Sequence, residues 1–112
     1  MIVTLEGNFW PNIFPNGSNW YDLPYAAMLP KRGTGANLLV PVCLSASAVA
    51  YSSTRIENMF MSVGAAAGVA AAQVVAGTAA TVQDVDVAQV QAVLTAQFKQ
   101  RIHGPPGAKA LF

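Results

Sequence analysis

Apolar positions change their spacing several times along the chain, and each change marks a candidate element. Asn37 to Leu44 (NLLVPVCL) is a continuous apolar run bounded by turn residues, the pattern of a strand buried on both faces. Pro41 removes one ladder donor, so a bulge or a switch from paired to unpaired backbone is expected there. From Asn58 to Gln83 there is no charge, and Ala, Val and Gly dominate. Ala is the best helix former, which predicts a helix from about Thr54 to about Ala76, ending near Gly77. A further helix begins at Asp86, a natural N-cap. Gln89 stands three residues later as in a capping box, and Val85 with Val90 has the spacing of a hydrophobic staple. Val87, Val90, Leu94 and Phe98 then form one apolar stripe at helical spacing.

The flanking segments are less regular. Met1 to Glu6 is apolar but short and lacks the basic flank and long apolar core of a secretory signal, so an intracellular site is expected. Pro11, Pro15, Asn16-Gly17 and Pro24 punctuate a stretch dense in Phe9, Trp10, Phe14, Trp20 and Tyr21, which predicts an irregular loop or short hairpin. Asn16-Gly17-Ser18 matches the glycosylation sequon, with no export signal to give it meaning. Ala26 to Lys31 is a short extended candidate, Lys31 to Gly35 a turn, and Ser45 to Thr54 a small-residue loop. His103-Gly104-Pro105-Pro106-Gly107 stops the last helix. The division is an aromatic and Pro-rich segment over 1–24, a principal segment over 25–100 and a tail over 101–112.

Composition then narrows the function. In 112 residues, six Lys and Arg stand against five Asp and Glu, a net charge of +1 without the basic footprint of a nucleic-acid binder. One Cys excludes an internal disulfide and a multi-cysteine zinc site, and one His excludes paired-histidine metal motifs. Only 10% of residues are charged, against about a quarter to a third on a typical free surface. Such a chain meets either a membrane or another polypeptide. Gly64-Ala65-Ala66-Ala67-Gly68 is a small-xxx-small pattern in an uncharged run long enough to span a bilayer, but the run is poor in Leu and Ile. A buried helix that approaches its neighbour closely is the preferred reading.

Candidate chemistry is sparse. Gly33-Thr34-Gly35 lacks the flanking strand, helix and third Gly of a dinucleotide fingerprint and reads as a turn. Cys43 has no basic neighbour and reads as an inert core thiol. His103 would complement a helix C-terminus, Asp84 and Asp86 suit capping, and no nucleophile elbow surrounds Ser45, Ser47, Ser52 or Ser53. Arg55 and Glu57 are more informative, because they stand where a serine-rich loop enters the long helix. A helix N-terminus with unpaired N–H groups beside Arg55 is an anion-binding arrangement, while a solvated Arg55 with Glu57 favouring the helix dipole is an ordinary helix start. Both readings stand at this point.

Tyr21 to Gln97 resembles the C-terminal part of FAD-dependent oxidoreductases. The words that carry the resemblance are YDLPY, NLLVPVCLSAS, the Gly and Ala-rich run and VQDVD, in family order over roughly two-thirds of the chain. The resemblance implies an α/β fragment of an incomplete FAD-binding fold: short strands, one long Ala/Gly-rich helix and a C-terminal amphipathic helix. It implies that Ser45, Ala46 and Ser47 pass beside the flavin. It also implies that the helix start at Ser53, Arg55, Ile56 and Glu57 points at the N1 and C2 carbonyl edge, where reduction places negative charge. Gly64 and Gly68 would let the helix lie close to the nucleotide-binding sheet.

The departures from the pattern are equally specific. Ala48 stands where the family word has His, Ser52 where it has Gly, and Asn58 where it has Pro. The G-x-G-x-x-G seat for the pyrophosphate is not in this sequence, so tight FAD binding is not expected of the chain by itself. Three functions follow. The chain is a C-terminal flavoprotein segment completed by a partner polypeptide carrying the dinucleotide fold, an inactive remnant acting as a structural subunit, or a small membrane protein spanning at Asn58 to Ala80.

Overall fold

The long uncharged run folds as a helix through Ala-rich sequence and stops where a glycine allows a reversal. The computed structural model describes residues 22–102. Over these residues the order is a 3-10 turn (Tyr25–Met28), α1 (Ala48–Thr54), α2 (Glu57–Val75), a second 3-10 turn (Val82–Asp84) and α3 (Val87–Ala96). The sequon, most of the aromatic segment and His103 lie outside the described residues. α2 ends with Gly77 at φ 74°, its amide donating to the Val74 carbonyl at 3.0 Å while the Thr78 amide reaches the Gln73 carbonyl at 3.0 Å. These two bonds form a Schellman motif. A Cβ at Gly77 would meet no atom within 4 Å, so Gly77→Ala carries only the backbone cost of a left-handed residue. Thermal or urea unfolding should show a loss of about 1 kcal/mol; no loss would mean that the helix end re-forms elsewhere.

Two expected extended segments are not strands, and the α/β description is corrected to a helical one for the described residues. Ala26 to Lys31 instead contributes to the first 3-10 turn. The NLLVPVCL run pairs with that turn at two points only: the Val40 amide donates to Met28 O at 2.9 Å and the Ser45 amide to Ala27 O at 2.7 Å. Four residues of one segment thus lie between bonds to successive residues of the other. Pro41 offers no donor, and the Leu44 amide is consumed by Val42 O at 2.9 Å in a tight turn around Cys43. The ladder cannot propagate past either position. Cys43 is exposed there, not a core thiol.

The expected loop before the long helix contains α1. Ser47 caps it, its Oγ accepting from the Ala50 amide at 3.2 Å. Ser52, Ser53 and Thr54 return their hydroxyls to the carbonyls of Val49, Ala50 and Tyr51 at 2.7, 2.7 and 3.1 Å, which accommodates three weak helix formers. Arg55 ends α1, and Ile56, in extended backbone, starts α2, so the long helix begins at Glu57 and not at Thr54. The Tyr51 and Phe60 rings, 6.4 Å apart, pack across this corner.

α2 is shared by two apolar clusters. Val63 joins Ala27, Met28 and Leu44, whereas Ala70 joins Ala79, Val85, Val90 and Leu94; Ala66 packs on both. The close approach of α2 to α3 therefore uses Ala65, Ala66 and Ala70. Gly64 and Gly68 do not serve it: a Cβ at either would meet nothing within 4 Å among the described residues. By length and composition α2, with a mean hydropathy of 1.4, is apolar enough to cross a membrane, though Met59, Val63 and Ala70 are buried against the chain itself.

α3 starts as expected, with Asp86 Oδ1 accepting from the Ala88 and Gln89 amides at 3.0 and 3.2 Å. The reciprocal half of the capping box is supplied differently. Gln73 of α2, not Gln89, accepts the Asp86 amide at 2.9 Å and donates back to its carbonyl at 3.1 Å. Val85 and Val90 meet in one cluster, but the helix ends at Ala96 and Phe98 lies exposed beyond it. Lys99, at φ 55°, turns the chain and donates its Nζ to the Ala96 carbonyl at 2.7 Å, the role that a later Gly-Pro stop was expected to fill.

Candidate functional site at the α1–α2 corner

The corner brings the sequence-predicted residues to one stretch of chain with unequal exposure. Ser45, Ala46, Ser47, Arg55 and Glu57 are exposed, Ile56 is half-buried and Ser53 is wholly buried. Two of the three serines are in use as structural groups, Ser47 as the α1 cap and Ser53 as a donor to Ala50 O. Ser45 differs. Its amide is anchored on Ala27, while its hydroxyl has no hydrogen-bond partner among the described residues. No side chain caps the N-terminus of α2, where Glu57 occupies the first turn. That end presents unpaired N–H groups and partial positive charge next to Arg55.

A second set of contacts gives the YDLPY and VQDVD words structural roles that the sequence did not assign. Tyr25 donates its phenol to the Val82 carbonyl at 2.8 Å, and burial pushes that phenol up to about 12. The Val82 amide donates to Ala36 O at 2.9 Å, and Gln83 Nε2 donates to Gly35 O at 2.7 Å. Asp84 accepts from Thr81 Oγ1 at 2.6 Å and from Arg32 at 2.9 Å, which together hold its carboxyl below the usual range. With Val85 in the core and Asp86 on α3, every residue of VQDVD has a structural task. Asp84 is thus a clamp on the loop after Pro30 and does not cap α3. Lys31 to Thr34 forms the expected turn, with Gly33 at φ 91° and the Thr34 amide on Lys31 O at 3.0 Å.

The elevated Tyr25 value has a sign that can be checked. Folding favours the protonated phenol, so this contribution is complete below the unfolded value of 10 and is lost as pH rises toward 12. An ultraviolet difference titration of the wild type against Tyr25→Phe should place the missing ionisation near 12; a value near 10 would show an exposed phenol.

The model of one family, FAD dependent oxidoreductase, matches residues 6–94, well over half of the chain. The chain belongs to that family. Comparison with curated proteins gives no match, and comparison with solved structures gives none. The match runs through the corner and through the VQDVD clamp alike, so family membership by itself does not separate flavin-facing from structural words. The uncapped α2 end and Arg55 offer donors and positive charge of the kind that suits an electron-rich group, with the Ser45 hydroxyl nearby in sequence and the Ser45 amide already committed to Ala27 O. The described residues hold no strand-turn-helix for the pyrophosphate, and Gly33 to Gly35 is taken up by the turn and by Gln83.

Proposed function

We infer that this chain is the C-terminal part of an FAD-dependent oxidoreductase and supplies the backbone and charge beside the flavin ring. The remaining dinucleotide fold comes from polypeptide beyond these residues, such as a partner chain with a G-x-G-x-x-G turn. The observation that carries the reading is the family match over residues 6–94, which includes the whole corner. FAD, when bound, supplies the electron-accepting isoalloxazine. Ser45, Ala46 and Ser47 border the ring with backbone groups and the Ser45 hydroxyl. The N–H groups at Ile56 and Glu57, with the Arg55 guanidinium, lower the energy of negative charge at the ring edge. Ser53 acts from within, holding the last turn of α1 where Arg55 and Ile56 link it to α2.

The absorbance spectrum of the native purified assembly, with the masses of all chains in it, tests this. Flavin absorbance together with polypeptide carrying the dinucleotide turn is expected; a stable colourless monomer overturns it. A second reading, an inactive remnant kept as a structural subunit, is favoured by Ala48. This residue opens α1 directly after Ser47, where the family word has His. The same assembly with a partner but without flavin would select it. Carbonate-resistant membrane association would select a membrane protein built on α2.

A further inference from the structure

We propose that Tyr25 is a positioning residue, fixing the backbone of the Ser45–Ser47 loop by tying it to the Val82–Asp84 turn. What that loop meets rests on the reading above; the coupling itself does not. Three bonds make the path. The Tyr25 phenol holds Val82 O at 2.8 Å, Ala27 O holds the Ser45 amide at 2.7 Å, and Met28 O holds the Val40 amide at 2.9 Å. The turn between them is short and internally bonded, the Ala27 amide on Pro24 O at 3.0 Å and the Leu29 amide on Ala26 O at 3.2 Å. It therefore moves as one piece.

Packing makes the same connection. Tyr25, Leu39 and Ala66 are the residues that pack on both apolar clusters, and of their side chains only Tyr25 ends in a polar group. The ring sits in the shared wall while the hydroxyl reaches the carbonyl of a residue that is 2% exposed. A tyrosine phenol is a neutral donor throughout the physiological range, and burial, which pushes its ionisation further up, keeps it so at higher pH. On the other side of the turn, the Ser45 amide is an end point of the pairing that Pro41 interrupts. Among the described residues no second ladder bond stands between Val40 and Ser45, and Leu44 packs on Ala27 and Met28 of the turn as well as on Val63, so the placement of this stretch follows where the turn is held.

Native-state amide exchange on the full 112-residue chain tests this. In Tyr25→Phe the Ser45 and Val40 amides should exchange about five- to tenfold faster, the effect of one hydrogen bond. The Thr78 and Ala88 amides, in the α2 and α3 caps, should change less than about twofold on the same grounds. Uniform acceleration, or none at Ser45, overturns the proposal, because a merely stabilising Tyr25 would move all slow amides together. Gln83→Ala loosens the same Val82–Asp84 turn from its Gly35 side: the Val82 and Ser45 amides should both exchange faster, and added to Tyr25→Phe it should leave Ser45 as Tyr25→Phe alone has it. Acceleration of Val82 with no change at Ser45 in the Gln83→Ala variant would also overturn it.

Should Tyr25→Phe fail to fold, a ring-fluorinated tyrosine at 25 keeps the ring and lowers the phenol pKa. Ser45 exchange relative to Ala88 should then step up as pH crosses that value, and a flat ratio overturns the coupling. The two readings separate cleanly. Selective exchange with a flavin-free assembly removes the proposed function and leaves the coupling, whereas uniform exchange in a flavin-containing assembly removes only the coupling.

Discussion

Leu94→Ala should lower the unfolding free energy by about 3 kcal/mol, near the middle of the range for buried leucine truncations. Leu94 is 5% exposed and closes a cluster whose other buried members are Ala70, Ala79, Val85 and Val90. Those neighbours are short and cannot reach into the space left behind, so the cavity term adds to the lost transfer energy. Small domains have roughly 5–15 kcal/mol in total, and the loss is a large share of it. Urea unfolding with an unchanged m-value is the measurement. A loss below about 1 kcal/mol would show that α3 is not held by this cluster.

Ala70→Leu should be destabilising by about 2 kcal/mol for the opposite reason. Ala70 is 0% exposed, on the α2 face that meets α3, and a larger side chain must push the helices apart or leave its preferred rotamer. Displacing α3 would also pull Asp86 from Gln73, breaking two bonds at 2.9 and 3.1 Å. The double variant Ala70→Leu, Leu94→Ala should lose less than the sum of the singles, because the new leucine fills part of the vacated space. Additivity within about 0.5 kcal/mol would place the two sites in separate packing environments.

These contacts show where sequence reading reaches and where it stops. Asp86, Val85 and Gly77 act locally: a cap, a staple and a left-handed reversal each depend on neighbours within a few residues, and each was legible. α1 was not, because Ser52, Ser53 and Thr54 are poor helix formers until their hydroxyls find carbonyls one turn back. The NLLVPVCL run has strand composition, but Pro41 and the turn at Cys43 remove the donors that a ladder needs. At the candidate site the order of residues came from resemblance. The sequence did not distinguish Ser45, with its hydroxyl turned to no neighbour among the described residues, from Ser47 and Ser53, whose hydroxyls are used within α1. Nor did it give a role to Tyr25, the last residue of YDLPY, since its partner Val82 lies 57 positions away.

That distance bears on the order in which the chain assembles. Gln73 and the Asp86 backbone are 13 positions apart, Tyr25 and Val82 are 57. Ring-closure entropy makes the longer closure costlier by about 1.3 kcal/mol, so the α2–α3 hairpin is the natural nucleus and the Tyr25 contact a late addition. The loop proposed to face the flavin, paired to the Tyr25–Met28 turn by short-range bonds, is then the last unit to dock, through Tyr25, on a scaffold already formed.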